Sequence, residues 1–249
     1  INNGNKFYRT YITDKRGWWN FVLPVDIDGD GDLDFIAGNH GLNSRLKADS
    51  MHPVKMYYSD FDGNGSKEQL ITYFLGDKEI PFANKPDLEK QLPEIKKQFL
   101  YANDFAKASL TDIFSARQLE KATVYTADYF ANSIIINNGK NGFAVKPLPW
   151  QTQLTSYHSA VVVNANNDAL PDIWLGGNFY PNNIQLGRSD ADFGSLLVNT
   201  GNGNFSYVPL NGITIKGEIR HINKIVLANK KEGFVVARNN DSLLLIRKR

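Results

Sequence analysis

The chain has 249 residues, no cysteine and a formal net charge of +2, with 42% hydrophobic and 12% aromatic residues and 20 glycines. The missing cysteine excludes a disulfide framework, a thiolate zinc site and a cysteine nucleophile; the scattered Lys and Arg supply no basic face for a nucleic acid, and no run of about 18 apolar residues exists to insert in a bilayer. A chain this long can bury a large core, and its wealth of Gly, Asn and aromatic residues favours short strands joined by tight turns, an all-β class.

In chain order, Asn2-Asn3-Gly4-Asn5-Lys6-Phe7 predicts a hairpin turn, because Asn and Gly accept the positive φ of tight β-turns. Strands are expected over Tyr8 to Ile12 and Trp19 to Leu23, followed by Asp26-Ile27-Asp28-Gly29-Asp30-Gly31-Asp32-Leu33-Asp34 and the apolar run Phe35-Ile36-Ala37. Five carboxylates in nine residues repel one another unless a cation holds them. Calcium takes six to eight hard oxygens at about 2.3–2.6 Å, so Asp26, Asp28, Asp30 and Asp34 are expected to ligate by side chain and Asp32 by its carbonyl. A strand precedes this loop and no Glu stands at its twelfth position, which separates it from an EF-hand. A second loop follows the strand Val54 to Tyr58: Asp60, Asp62, Asn64 and Glu68 are side-chain ligands and Ser66 a carbonyl ligand. The strand Gln69 to Leu75 comes next.

Between residues 85 and 118, Leu88, Leu92, Ile95 and Phe99 recur at helical spacing, continued by Ala102, Phe105, Ala106 and Leu110, which predicts a helical insertion between strands of one sheet. Strands are expected at Ser133 to Ile136 and Ser159 to Val163, with a turn at Asn137-Asn138-Gly139. A third acidic loop, with Asn164, Asn166, Asp168 and Asp172 as weaker ligands, keeps the alternation but lacks the glycines and half the charge. Ile173 to Asn178, Ser195 to Val198, Ser206 to Leu210, Gly233 to Arg238 and Ser242 to Arg247 complete the strands, with a further Asn-Gly turn at Asn199-Thr200-Gly201. Asp26 and Asn164, like Asp34 and Asp172, are 138 positions apart. Repeats of this kind mean propellers or solenoids, and roughly sixteen short strands predict a β-propeller of about four blades, complete or partial.

With these acidic loops the chain resembles the FG-GAP or VCBS repeat proteins, and more narrowly the last part of large bacterial surface proteins that join such repeats to an ASPIC/UnbV segment, on Asp87-Leu88-Glu89-Lys90-Gln91-Leu92-Pro93, Gly177-Asn178-Phe179-Tyr180 and Gly187-Arg188-Ser189-Asp190-Ala191. The resemblance implies a calcium-binding propeller in an exported protein, used for ligand binding or adhesion, without shared enzymatic chemistry. Beginning at Ile1 without an initiator Met, the sequence reads as part of a longer parent chain. Calcium loops of moderate affinity fill where calcium is high, so an extracellular, outer-membrane-surface or periplasmic location is expected.

No catalytic residue is assigned. His40, His52, His158 and His221 never stand at metal-ligand spacing, and no nucleophile elbow, phosphate loop or dinucleotide fingerprint is present. Loops that follow equivalent strands hold His40 and Asn43 in one case and Asn178, Phe179, Tyr180 and Arg188 in the other, and these are the candidate ligand residues. The expected function is non-enzymatic binding of a glycan or protein at the cell surface. The alternative is a polysaccharide lyase or glycoside hydrolase with a cleft lined by His, Arg, Tyr or paired carboxylates.

Overall fold

A computed structural model describes residues 2–4, 6–228 and 230–247. The chain divides into two compact units, residues 1–44 with 130–249, and residues 45–129. The larger unit opens with the small hairpin β1 (Asn2–Asn3) and β2 (Lys6–Phe7), after which β3 (Phe21–Val25) and β4 (Asp34–Gly38) flank the first acidic loop. The smaller unit contributes β5 (Val54–Ser59), β6 (Glu68–Leu75) and β7 (Lys78–Pro81), then helices α1 (Lys85–Gln91), α2 (Ile95–Gln98), α3 (Ala102–Lys107), α4 (Leu110–Ile113) and α5 (Ala116–Lys121), and β8 (Thr123–Ala127). The larger unit resumes with β9 (Ser133–Asn137), β10 (Phe143–Pro147), β11 (Tyr157–Val163), β12 (Asp172–Gly177), β13 (Ser195–Gly201), β14 (Asn204–Pro209), β15 (Glu218–Val226), β16 (Glu232–Asn239) and β17 (Leu244–Arg247).

All pairing is antiparallel. In the larger unit the sheets run β10-β9-β4-β3, β11-β12-β13-β14 and β15-β16-β17, and in the smaller unit β7-β6-β5-β8. Each acidic loop is the connection of one hairpin, closed by Val25 opposite Asp34, Ser59 opposite Glu68, and Val163 opposite Asp172. The central strand β12 is buried at every residue, as a strand covered on both faces must be. Ile27, Ile36, Ile134, Tyr157, Ile173, Leu175 and Leu197 form one core of the larger unit, and Trp174, Ile219, Ile222, Phe234 and Val236 another. Glycine lets the layers approach: a Cβ on Gly38 would lie 2.6 Å from the Tyr157 carbonyl oxygen, and one on Gly176 would lie 2.4 Å from Ile219 Cγ2.

The all-β class is present, but the propeller is not. Strand β11 packs against β3 on one side and β15 on the other, and the sheets do not close into a ring. Alternation and turn spacing specify which consecutive strands form hairpins, whereas closure depends on the angle at which successive sheets pack, which those patterns leave open. The sheet β10-β9-β4-β3 is also assembled from two chain segments separated by the whole smaller unit, so it is not one contiguous repeat.

The expected helical insertion is five short helices reaching Lys121, between β7 and β8 of one sheet. Asn84 caps α1 by accepting the Asp87 N–H at 2.9 Å, and Ser115 with Gln118 forms a capping box on α5. Leu88, Leu92, Ile95, Phe105, Leu110 and Ile113 form a core with Tyr57, Phe61 and Leu70 of the sheet. Residues Tyr8 to Ile12, expected as a strand, are exposed and outside any sheet, and β15, the longest strand, was not anticipated.

Candidate functional site

The acidic loops repeat one hydrogen-bond pattern. In the first, Asp26 Oδ1 accepts from the Gly29 N–H at 2.8 Å and Oδ2 from the Gly31 N–H at 3.1 Å, while Asp28 accepts from Asp30 N–H and Asp30 from Asp32 N–H. In the second, Asp60 accepts from Gly63 and Gly65, Asp62 from Asn64, and Asn64 from Ser66. The last acid of each loop reaches back to the second residue: Asp34 to the Ile27 N–H at 2.9 Å, Glu68 to Phe61 at 2.8 Å, Asp172 to Ala165 at 2.7 Å. Left-handed glycines at Gly29, Gly31, Gly63 and Gly65 turn the backbone so that these N–H groups face inward.

Carboxylate oxygens of Asp26, Asp28 and Asp34 lie within 4.8 Å of one another, and so do those of Asp60, Asp62 and Glu68. Two oxygens on one calcium ion are at most about 5.2 Å apart at the usual bond lengths, so both triads fit the ion in spacing and in donor hardness. Partial desolvation, then the neighbouring Asp34 charge, pushes the Asp28 carboxyl above its ordinary value. Asp30 and Asp32, and Asn64 and Ser66, stand in the same loops outside the triads. In the third loop amide groups do what a cation would do: Asn166 Nδ2 donates to Asp168 Oδ2 at 2.6 Å, and Asn164 Nδ2 to the Asp168 carbonyl at 2.7 Å. Only Asp168 and Asp172 are acidic there, and no triad forms among the described residues. Asn64 makes one such bond to Asp62 in the second loop, at 3.0 Å. The first loop, with five carboxylates, makes none.

Two asparagines prove to be part of this architecture. Asn137 N–H donates to Asp34 Oδ1 at 2.8 Å and Asn199 N–H to Asp172 Oδ1 at 2.8 Å, so each Asn-x-Gly turn is locked to the acidic loop of its own sheet. Asn199 Nδ2 also donates to the Ile27 carbonyl at 2.8 Å, joining the second sheet to the first loop. In the smaller unit Gln118 Nε2 meets the equivalent carbonyl, Phe61, at 2.9 Å. The sequence shows these turns ahead of the next loop in phase; it is the strand pairing that assigns them to the preceding one.

Of the ligand candidates, His40, Asn43 and Arg188 line one small cavity of about 40 Å³ in the larger unit, together with Asn182, Ser189 and Asp190. The loop after β12 is held by paired backbone bonds between Phe179 and Ser189 at 2.7 and 3.0 Å, and Ser156 Oγ donates to the His40 carbonyl at 2.9 Å. The Arg188 guanidinium lies 3.8 Å from the centroid of the Tyr180 ring, which fixes its plane. His40 packs at the edge of Trp18 and Phe130, with centroids 5.0 and 5.5 Å away, and desolvation lowers its pKa. It is a neutral wall of the cavity, and its Nε2 is sealed without a hydrogen-bond partner.

Asn178 is 1% exposed with left-handed φ of 80°. Its amide donates to the Asp192 and Gly217 carbonyls and accepts from Asp192 N–H and Thr155 Oγ1, so every polar group is used internally. Phe179 lies beside His158, 5.7 Å between centroids, and Arg220, 5.2 Å from its ring centroid. Neither Asn178 nor Phe179 lines the cavity. Asp192, which could have paired with Arg188, is buried and accepts instead from Gly177 N–H, Gly194 N–H and Ser195 Oγ. Asp190 and Asn182 were not singled out as ligand residues; each stands within the same loop, in Arg188-Ser189-Asp190 and Pro181-Asn182-Asn183.

No described helix is long and apolar enough to cross a membrane. Comparison of the chain with protein-family models, with curated proteins and with solved structures found no match.

Proposed function

We propose that this chain is a calcium-stabilised, non-enzymatic binding module of an exported protein, related through its acidic loops to the FG-GAP/VCBS repeats, and that the loops bearing His40 and Arg188 bind a glycan. The relation rests on the loops, not on a closed propeller. Asp26, Asp28 and Asp34 would hold one ion, and Asp60, Asp62 and Glu68 another. Calcium there neutralises repelling carboxylates and ties the ends of a hairpin together, a scaffold role, since each loop is already folded around its own N–H groups. A requirement for calcium fits the calcium-rich exterior of a cell.

The observation that carries the binding site is the convergence of His40, Asn43 and Arg188 on one cavity from loops more than a hundred residues apart. A cavity of about 40 Å³ admits the edge of a ligand, such as a pair of neighbouring hydroxyls, not a whole sugar ring. Asp190 is its one lining carboxylate, whereas glycoside hydrolysis calls for two. Both points favour surface recognition over turnover. Titrating a glycan panel into the calcium-loaded chain is expected to show binding without degradation and its loss in Arg188→Ala. Turnover of any glycan, or equal binding by the variant, would overturn this assignment.

A further inference from the structure

The cavity also carries information about which glycans it accepts. Its polar groups divide into those already used and those left open. Ser189 Oγ is committed to Thr155 Oγ1 at 2.6 Å and the Ser156 N–H at 3.1 Å, and Asn43 Nδ2 donates to the Leu154 carbonyl at 3.2 Å. His40 is neutral by desolvation and has a sealed Nε2. The Arg188 guanidinium and the Asp190 carboxylate both line the cavity, two residues apart, yet neither makes an ion pair or hydrogen bond among the described residues. Asn43 Oδ1 and the Asn182 amide are likewise open. One donor fork and one carboxylate therefore face the same small space, with neutral amides around them.

Resting on the glycan-binding assignment, we infer that this cavity recognises a vicinal diol of an uncharged sugar and discriminates against uronates. A diol offers a lone pair on one oxygen and an O–H on the next. Arg188 donates to the first and Asp190 accepts from the second, so both charged groups are satisfied by one neutral ligand. A 1→4-linked uronate offers the same diol, but whether it enters by that diol or by its carboxylate, the carboxylate is brought toward Asp190, and two carboxylates sharing a site repel. Tyr180 beneath the guanidinium keeps Arg188 in one plane, which suits a directional two-bond contact better than a diffuse attraction for anions.

The test uses the whole calcium-loaded chain and two series of probes, neutral manno-, gluco- and galacto-oligosaccharides against oligogalacturonate and alginate oligomers, with affinities read by calorimetry. The wild type is expected to bind a neutral series at least tenfold more tightly than either uronate. Asp190→Asn should weaken the neutral ligand about tenfold and strengthen uronate binding several-fold, because it removes the repelling charge and supplies a donor. Arg188→Ala should weaken both series. Both side chains are exposed, and an unchanged thermal melt would verify that the variants fold. A wild-type preference for uronates, or an equal effect of Asp190→Asn on both series, would overturn the inference while leaving glycan binding intact. Binding of neither series would overturn the glycan assignment and this inference with it.

Discussion

Within the acidic loops, neighbouring carboxylates have separable roles. Asp34 is fully buried and accepts the N–H groups of Ile27 and Asn137, whereas Asp28 is exposed. Asp34→Ala leaves one buried and one part-buried donor unsatisfied and is expected to cost about 2–4 kcal/mol even in chelator. Asp28→Ala, at an exposed member of the triad, should stay within about 0.5 kcal/mol in chelator and show its effect only when calcium is present; denaturant melts with and without the ion separate the two. His158 supplies a pH signal. Desolvation, then the Arg220 charge, holds it at about 4 against an ordinary 6.5. The unfolded ring takes up a proton as pH falls through 6.5, while the folded one resists until about 4. Stability present above 6.5 is thus lost across that window, by roughly 1–2 kcal/mol, because solvent still screens part of the ring. Melting temperatures from pH 7 to 4 should fall further for the wild type than for His158→Phe, and parallel curves would contradict the assignment. The carboxylate clusters of the first two loops were legible because alternation and glycine spacing are local. The burial of Asn178 was not, because its partners Thr155, Asp192 and Gly217 come from three other chain segments.

At the level of elements, hairpins were readable wherever strand, loop and strand are consecutive. Val25 opposite Asp34 and Val163 opposite Asp172 follow from the repeat itself. Strand β15 was missed because charged and polar residues interrupt its apolar ones, as in Glu218-Ile219-Arg220-His221-Ile222-Asn223-Lys224; only Ile219 and Ile222 are drawn into the core. Those two residues meet Gly176 of β12, so the glycine sets the spacing between two sheets. Gly176→Ala would place its Cβ 2.4 Å from Ile219 Cγ2 and 2.8 Å from Ile222 Cδ1. A loss of about 1–3 kcal/mol is expected, recovered in part by Ile222→Val, which removes the Cδ1 atom that the new methyl meets at 2.8 Å. Chemical denaturation of the single and double variants checks this, and an additive double variant would show that the two positions do not share the clash.

For the molecule as a whole, each compact unit has its own acidic triad, the first in the larger unit and the second in the smaller. At calcium concentrations ten times the dissociation constant, each occupied site adds about 1.4 kcal/mol, so chelation should lower the melting temperature. Hydrogen exchange resolves the contributions: Asp26→Ala should abolish calcium-induced protection in residues 21–38 and leave that of residues 54–75 in place. Simultaneous loss in both would show that the loops are not independent. Sheet arrangement stayed hidden in the sequence because it is set by contacts such as Asn199 to Ile27, 172 positions apart, and not by any local period. The discontinuity of the larger unit reaches beyond the finished structure. Gly41 N–H bonds the Phe130 carbonyl at 2.8 Å, so the chain leaves and re-enters this unit at nearly one point, and β4 pairs with β9 only after the ribosome has made the residues between them. At 5–20 residues per second that delay is roughly 5–20 s. Throughout it β4, whose Ile36 and Ala37 end fully buried, is an apolar strand with one open edge, the stage of synthesis at which this chain most needs protection from its neighbours.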